Sequence, residues 1–139
     1  MRNLTIALFL ALMACTKAET ITPTIIFGNK LEATYNTEGE YQQNVKVKIT
    51  NIEDSRCPKS VTCVWQGSVK VSLTLSQSGV AKEFVLEFLA DNSKPATTTV
   101  TLGNQKYLVE IADVLPYPQK SSDEIKLKDY KVTLTVKNV

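Results

Sequence analysis

Histidine is absent from this chain of 139 residues. It is the usual general base near neutral pH and the commonest metal ligand. Without it, Ser-His and Cys-His catalysis and most zinc sites are excluded. The sequence also lacks a Gly-x-Ser-x-Gly elbow and a Gly-rich phosphate loop. Carboxylate or Lys chemistry is the one catalytic class left open, and the reading is a non-enzyme without cofactor. Asp123, Glu124 and Asp129 lack the alternating spacing and Gly of an EF-hand, so they read as a solvated turn, with no metal site. There is no basic run or stripe, which argues against nucleic-acid binding. No apolar run approaches the roughly 20 residues needed to cross a bilayer as a helix.

What is present at the start is an address. Met1-Arg2-Asn3 is a short basic segment, and Leu4 to Ala14 is uncharged and largely apolar. This order of a basic and a short apolar region reads as a signal peptide. The run ends in Leu12-Met13-Ala14-Cys15, which resembles the lipobox of bacterial lipoproteins. That resemblance implies cleavage after residue 14, lipidation of Cys15 with diacylglyceryl and N-acyl chains, and anchorage in a membrane. Two or more acyl chains hold a protein stably where one does not. Thr16 rather than Asp follows the Cys, which by the same resemblance favours the outer membrane, facing the periplasm, in a two-membrane host. Ordinary secretion with cleavage after Ala18 is the alternative. Cysteine parity supports lipidation. Three Cys in an exported chain leave one over; modification of Cys15 accounts for it, and Cys57 and Cys63 form a pair.

Removing residues 1–14 takes away Arg2 and leaves fifteen Lys/Arg against fourteen Asp/Glu in about 125 residues, a single nearly neutral domain. Cys15 and residues 16–23 form the lipidated end and a polar tether. The eight tether residues reach at most about 28 Å, which keeps the domain near its membrane. Residues 24–139 then read as strand after strand. Val45, Val47 and Ile49 alternate with Lys46, Lys48 and Thr50. Val69 to Leu75, Phe84 to Phe88, Tyr107 to Ile111 and Val132 to Val136 repeat the pattern. A period of two puts one face in the core and one in water. Turn signals separate the runs, among them Ser78-Gly79, Gly103-Asn104 and Asp91 to Pro95. The expected fold is all-β, an antiparallel two-sheet sandwich, immunoglobulin-like, of about seven strands.

The densest chemistry is Asp54-Ser55-Arg56-Cys57-Pro58-Lys59-Ser60-Val61-Thr62-Cys63-Val64-Trp65-Gln66-Gly67, which joins two strands. Export favours a Cys57–Cys63 disulfide. Its spacing is not that of a C-x-x-C redox pair. Asp54 suits a turn in which its carboxylate accepts from the N–H two residues on, Arg56 pairs with Asp54 or Glu53, and Trp65 packs near the disulfide. Gly67 marks a bulge or a close backbone approach. The segment reads first as a braced loop and second as a contact surface carried by Asp54, Arg56, Lys59 and Trp65. Pro116-Tyr117-Pro118 reads as a strand-exit corner that admits a cis bond, and Tyr130 as a residue that packs or bonds the backbone.

The motif Asp-Ser-Arg-Cys-Pro, followed by Val-x-Cys-Val-Trp-x-Gly, resembles that of a family of small, uncharacterised bacterial exported proteins and lipoproteins. Asp113 to Pro118 and Asp129-Tyr130 fit the same family. The resemblance implies export and a β-sandwich, and no activity. The functional expectation is a non-enzymatic, lipid-anchored binding or adapter module of the cell envelope. It would meet the membrane through Cys15 and an envelope protein through its loops. The alternative is a protease inhibitor that presents Lys59 on the ring closed by Cys57 and Cys63, a loose likeness to Bowman–Birk loops.

Overall fold

The computed structural model describes residues 26–27, 30–41, 44–120 and 124–139. The signal segment, Cys15, the tether to Pro23 and Asp123 lie outside the described residues. Among those described are nine strands and one 3-10 turn, Leu127–Asp129. The strands are β1 Ile26–Phe27, β2 Lys30–Thr34, β3 Glu38–Tyr41, β4 Val45–Asp54, β5 Ser68–Gln77, β6 Val80–Leu89, β7 Ala96–Leu102, β8 Gln105–Leu115 and β9 Lys131–Asn138. They form two antiparallel sheets, ordered β1-β2-β9-β8-β7 and β3-β4-β5-β6. The expected all-β sandwich is the fold. The strands beyond the expected seven include the two-residue β1 and the four-residue β3. The two packed layers are those of an immunoglobulin domain, but the strand order is not. Here β3 to β6 and β7 to β9 are meanders, and β2 with β9 is the non-sequential pair.

The alternating residues build the core as their period requires. Val69, Val71, Leu73 and Leu75 of β5 are fully buried, and so are Val132 and Leu134 of β9. They meet Leu31, Val45, Val47, Ile49 and Val109 across the layers. On β6 the pattern is looser: Leu86 is buried, Phe84 and Phe88 are partly buried, and Val85 faces out.

Two irregularities break the period, and both lie toward the same end of the sandwich. The β4–β5 register shifts between Ile49 and Asn51, and the β8–β9 register shifts between Ile111 and Asp113. An extra residue in one strand reverses the facing of everything after it. On β4 the inward positions pass from Val45, Val47 and Ile49 to Ile52, and the next inward position is Asp54. On β8 they pass from Tyr107, Val109 and Ile111 to Val114. Both strands finish at this end, while β5 and β9 begin there. We refer to it as the loop end.

Candidate functional site at the loop end

Asp54 is the last residue of β4, turned inward by the bulge. Its carboxylate oxygen Oδ1 accepts from the Arg56 backbone N–H at 3.1 Å and from Arg56 Nε at 2.9 Å. Its Oδ2 accepts from Arg56 Nη2 at 2.6 Å and from the Tyr130 hydroxyl at 2.9 Å. The first of these bonds is the side-chain turn expected of Asp54, and Arg56 pairs with Asp54 rather than with Glu53. The Arg56 fork also donates through Nη1 to the Val114 carbonyl at 2.6 Å and through Nη2 to the Pro116 carbonyl at 2.9 Å. Both ionised side chains are out of water, at 1% and 6% exposure. The planar, five-donor guanidinium suits this task, because it binds the carboxylate in two places and still caps two carbonyls.

The ring of Tyr117 lies 4.8 Å from the Arg56 guanidinium carbon and 5.6 Å from Lys59 Nζ. Its hydroxyl donates to the Cys57 carbonyl at 2.8 Å. The Leu115–Pro116 bond is cis, in keeping with a corner at Pro116-Tyr117-Pro118. Cys57 and Cys63 are bonded, with Cα atoms 6.0 Å apart. Further backbone bonds lace the loop down. Cys57 N–H donates to Gln66, Lys59 N–H to Pro118 and Ser60 N–H to Gln119. The loop thus hangs from the 116–119 segment as well as from its own strands.

Burial sorts the expected contact residues. Asp54 and Arg56 are consumed inside the brace and offer nothing to a partner. Trp65 is 61% exposed, in the loop segment that precedes the start of β5 at Ser68. Val64 is fully exposed, and Val61 is 42% exposed. Lys59 and Ser60 sit in a turn closed from Val61 N–H to the Pro58 carbonyl. That is not the extended backbone an inhibitor lays into a protease, so the geometry lends no support to that alternative. Val114, Pro116, Tyr117 and Tyr130 share a family resemblance with the motif in the sequence, and the structure brings them into contact with it.

A cleft of about 400 Å³ opens beside the brace, lined by residues including Asp54, Arg56, Pro58, Pro118, Leu127 and Tyr130. The Asp54 carboxylate and the Arg56 guanidinium in its wall are paired with each other, Lys120 and Glu124 also line it, and no described buried side-chain N or O lacks a hydrogen-bond partner. Among the described residues no group of three metal-ligating side chains is brought together. Comparison of the chain with models of protein families, with curated proteins and with solved structures gave no match.

Two outcomes follow from this geometry. Burial, and then the bond to the Asp54 carboxylate, push the Tyr130 hydroxyl well above the usual tyrosine range. A group raised in the folded state stabilises fully below its unfolded value, near 10, and loses that contribution as pH rises further. Stability is therefore expected to decline above about pH 10. Tyr130→Phe should flatten that decline and cost roughly 1.5–3 kcal/mol at neutral pH, the scale of a bond to a charged group. Urea denaturation across pH measures both. Separately, Cys57→Ser/Cys63→Ser should lower stability by about 2 kcal/mol, from the loop-entropy estimate for a ring of about seven residues. Chemical denaturation of the variant beside the parent checks it; equal midpoints would show that the lacing bonds alone hold the loop.

Proposed function

We propose that this protein is an exported, lipid-anchored binding module of the cell envelope with no enzymatic activity, held to its membrane at Cys15. The observation that carries the reading is the pairing of Cys57 with Cys63. It uses two of the chain's three cysteines and leaves Cys15, which directly follows Leu12-Met13-Ala14. The loop end supports a binding role. A loop braced by a disulfide and backbone bonds holds apolar side chains in water with little backbone freedom left to lose on contact, which favours association. Its contact residues are those at the tip, Lys59 and Trp65 with Val61 and Val64, while Asp54 and Arg56 hold the tip in place. The outer membrane is the proposed site in a two-membrane host.

Cys15→Ser is expected to abolish labelling by a palmitate analogue and to move the protein from the membrane fraction to the soluble one. Labelling and fractionation of the two forms in cells provide the test. Unchanged membrane retention of the variant would sink the anchor reading.

A further inference from the structure

We infer that the tip of the disulfide loop is a membrane-contact element: Trp65, Val64 and Val61 insert into the interfacial layer of the bilayer that carries the anchor. This rests on the lipid-anchor reading above and adds an orientation to it.

The first support is chain direction. Strand β2 runs toward the loop end, since Thr34 pairs with Lys131 at the start of β9. Strand β1 is antiparallel to β2, with Ile26 opposite Leu31 and Phe27 opposite Lys30. It therefore runs away from the loop end, and the chain enters β1 from that side. Thr34 lies three positions beyond Leu31, so Ile26 sits roughly 10 Å from the end of β2. The ten residues 16–25 between Cys15 and β1 reach at most about 36 Å. The anchor is therefore fed in from the side of the loop end, the side opposite the Ser78-Gly79 and Gly103-Asn104 turns.

The second support is the chemistry of the tip. Large apolar side chains are scattered singly over most of the described surface. Here three of the exposed ones fall within five positions, Val61 inside the Cys57–Cys63 ring and Val64 and Trp65 directly after it. Trp is the side chain that most favours the boundary between headgroups and acyl chains, having an apolar body and a polar N–H. Lys59, exposed in the same loop, has a long apolar stem and a charge that suits anionic headgroups. A loop held by a disulfide and backbone bonds loses little freedom on insertion. A single small apolar loop is a weak anchor alone; beside acyl chains it acts as a second contact that fixes how the sandwich stands on the surface.

Trp65 is the chain's one tryptophan, so its fluorescence reports the tip alone. The full lipidated protein would be placed in vesicles of phosphatidylethanolamine and phosphatidylglycerol, with acylation of Cys15 verified by mass spectrometry. Trp65 emission is expected to shift to the blue, to lose most of its quenching by aqueous iodide, and to be quenched by brominated acyl chains. Val61→Ser/Val64→Ser, both at exposed positions, should return the emission toward that of water while acylation and vesicle binding persist. Acylated, vesicle-bound protein whose Trp65 stays open to iodide would overturn the docking and leave the anchor standing. Shielding of Trp65 in native membranes but not in pure lipid vesicles would assign the tip to a protein partner and overturn it as well. An unmodified Cys15 would remove the anchor reading itself, and this proposal with it.

Discussion

Arg56→Ala is expected to destabilise the domain by about 3–5 kcal/mol, the cost of breaking a buried ion pair from one side. The reason is what the truncation leaves behind. Asp54 keeps its charge out of water, with only the Arg56 N–H and the Tyr130 hydroxyl still bonded to it. The Val114 and Pro116 carbonyls lose the donors that cap them. Tyr117 loses the nearer of the two cations over its ring. Against a typical total of about 5–15 kcal/mol, this loss removes a large part of the stability. Arg56→Lys should recover little, because an ammonium is a point charge and cannot bridge one carboxylate and two carbonyls in a plane. Asp54→Ala combined with Arg56→Ala should cost less than the sum of the single changes, since no ion then remains unpaired. Denaturant titration of the four variants, Asp54→Ala alone included, decides it. A loss below roughly 1 kcal/mol for Arg56→Ala would place the pair among ordinary surface bridges and remove it as the brace of the loop end.

Gly67→Ala is expected to cost on the order of 3 kcal/mol or more, high for one added methyl group. Gly67 has φ +76°, and a Cβ there would overlap the Ser55 carbonyl oxygen and lie 2.8 Å from the Arg56 Cα. Both are backbone atoms at the head of the brace. Ser55 is fixed by its N–H to the Ser68 carbonyl at 2.8 Å, and the Gly67 carbonyl itself accepts from Ala90 N–H. Relief would have to move the first residues after β4, and with them the Arg56 fork. Gly79 and Gly103 supply an internal control. Their φ values are +82° and +58°, and a Cβ at either meets nothing within 4 Å. Alanine there should cost only the backbone term, about 1–2 kcal/mol. If all three substitutions cost the same, the close approach at Gly67 carries no weight and φ alone explains its glycine.

These two residues lie where sequence and tertiary structure divide. Gly67 was legible in part. A glycine just before a strand-forming run signals a close approach, though not which atoms approach. The Asp54 turn to the N–H of Arg56 was legible because both groups sit within three residues. So was the Cys57–Cys63 bond, from cysteine parity and a favourable address. The faces of β5, β8 and β9 were legible because alternation along a strand is a local property, written residue by residue.

By itself the sequence thus determined an all-β sandwich, the residues of its core and the position of its stapled loop. Tertiary structure alone decided how that loop is held. The contacts of Arg56 with Val114 and Pro116, and of Asp54 with Tyr130, join residues 58 to 76 positions apart. They exist because β8 ends and β9 begins beside the end of β4. The inward turn of Asp54 depends on a register shift near Thr50, and the burial of Val114 on another near Ala112. Neither Thr nor Ala carries a mark of a bulge, since the extra residue is placed by packing between strands and not by its own preference. The exposure of Trp65 has the same origin. A large aromatic two residues after a cysteine suits a core, yet Trp65 stands in water in the loop before β5 begins at Ser68.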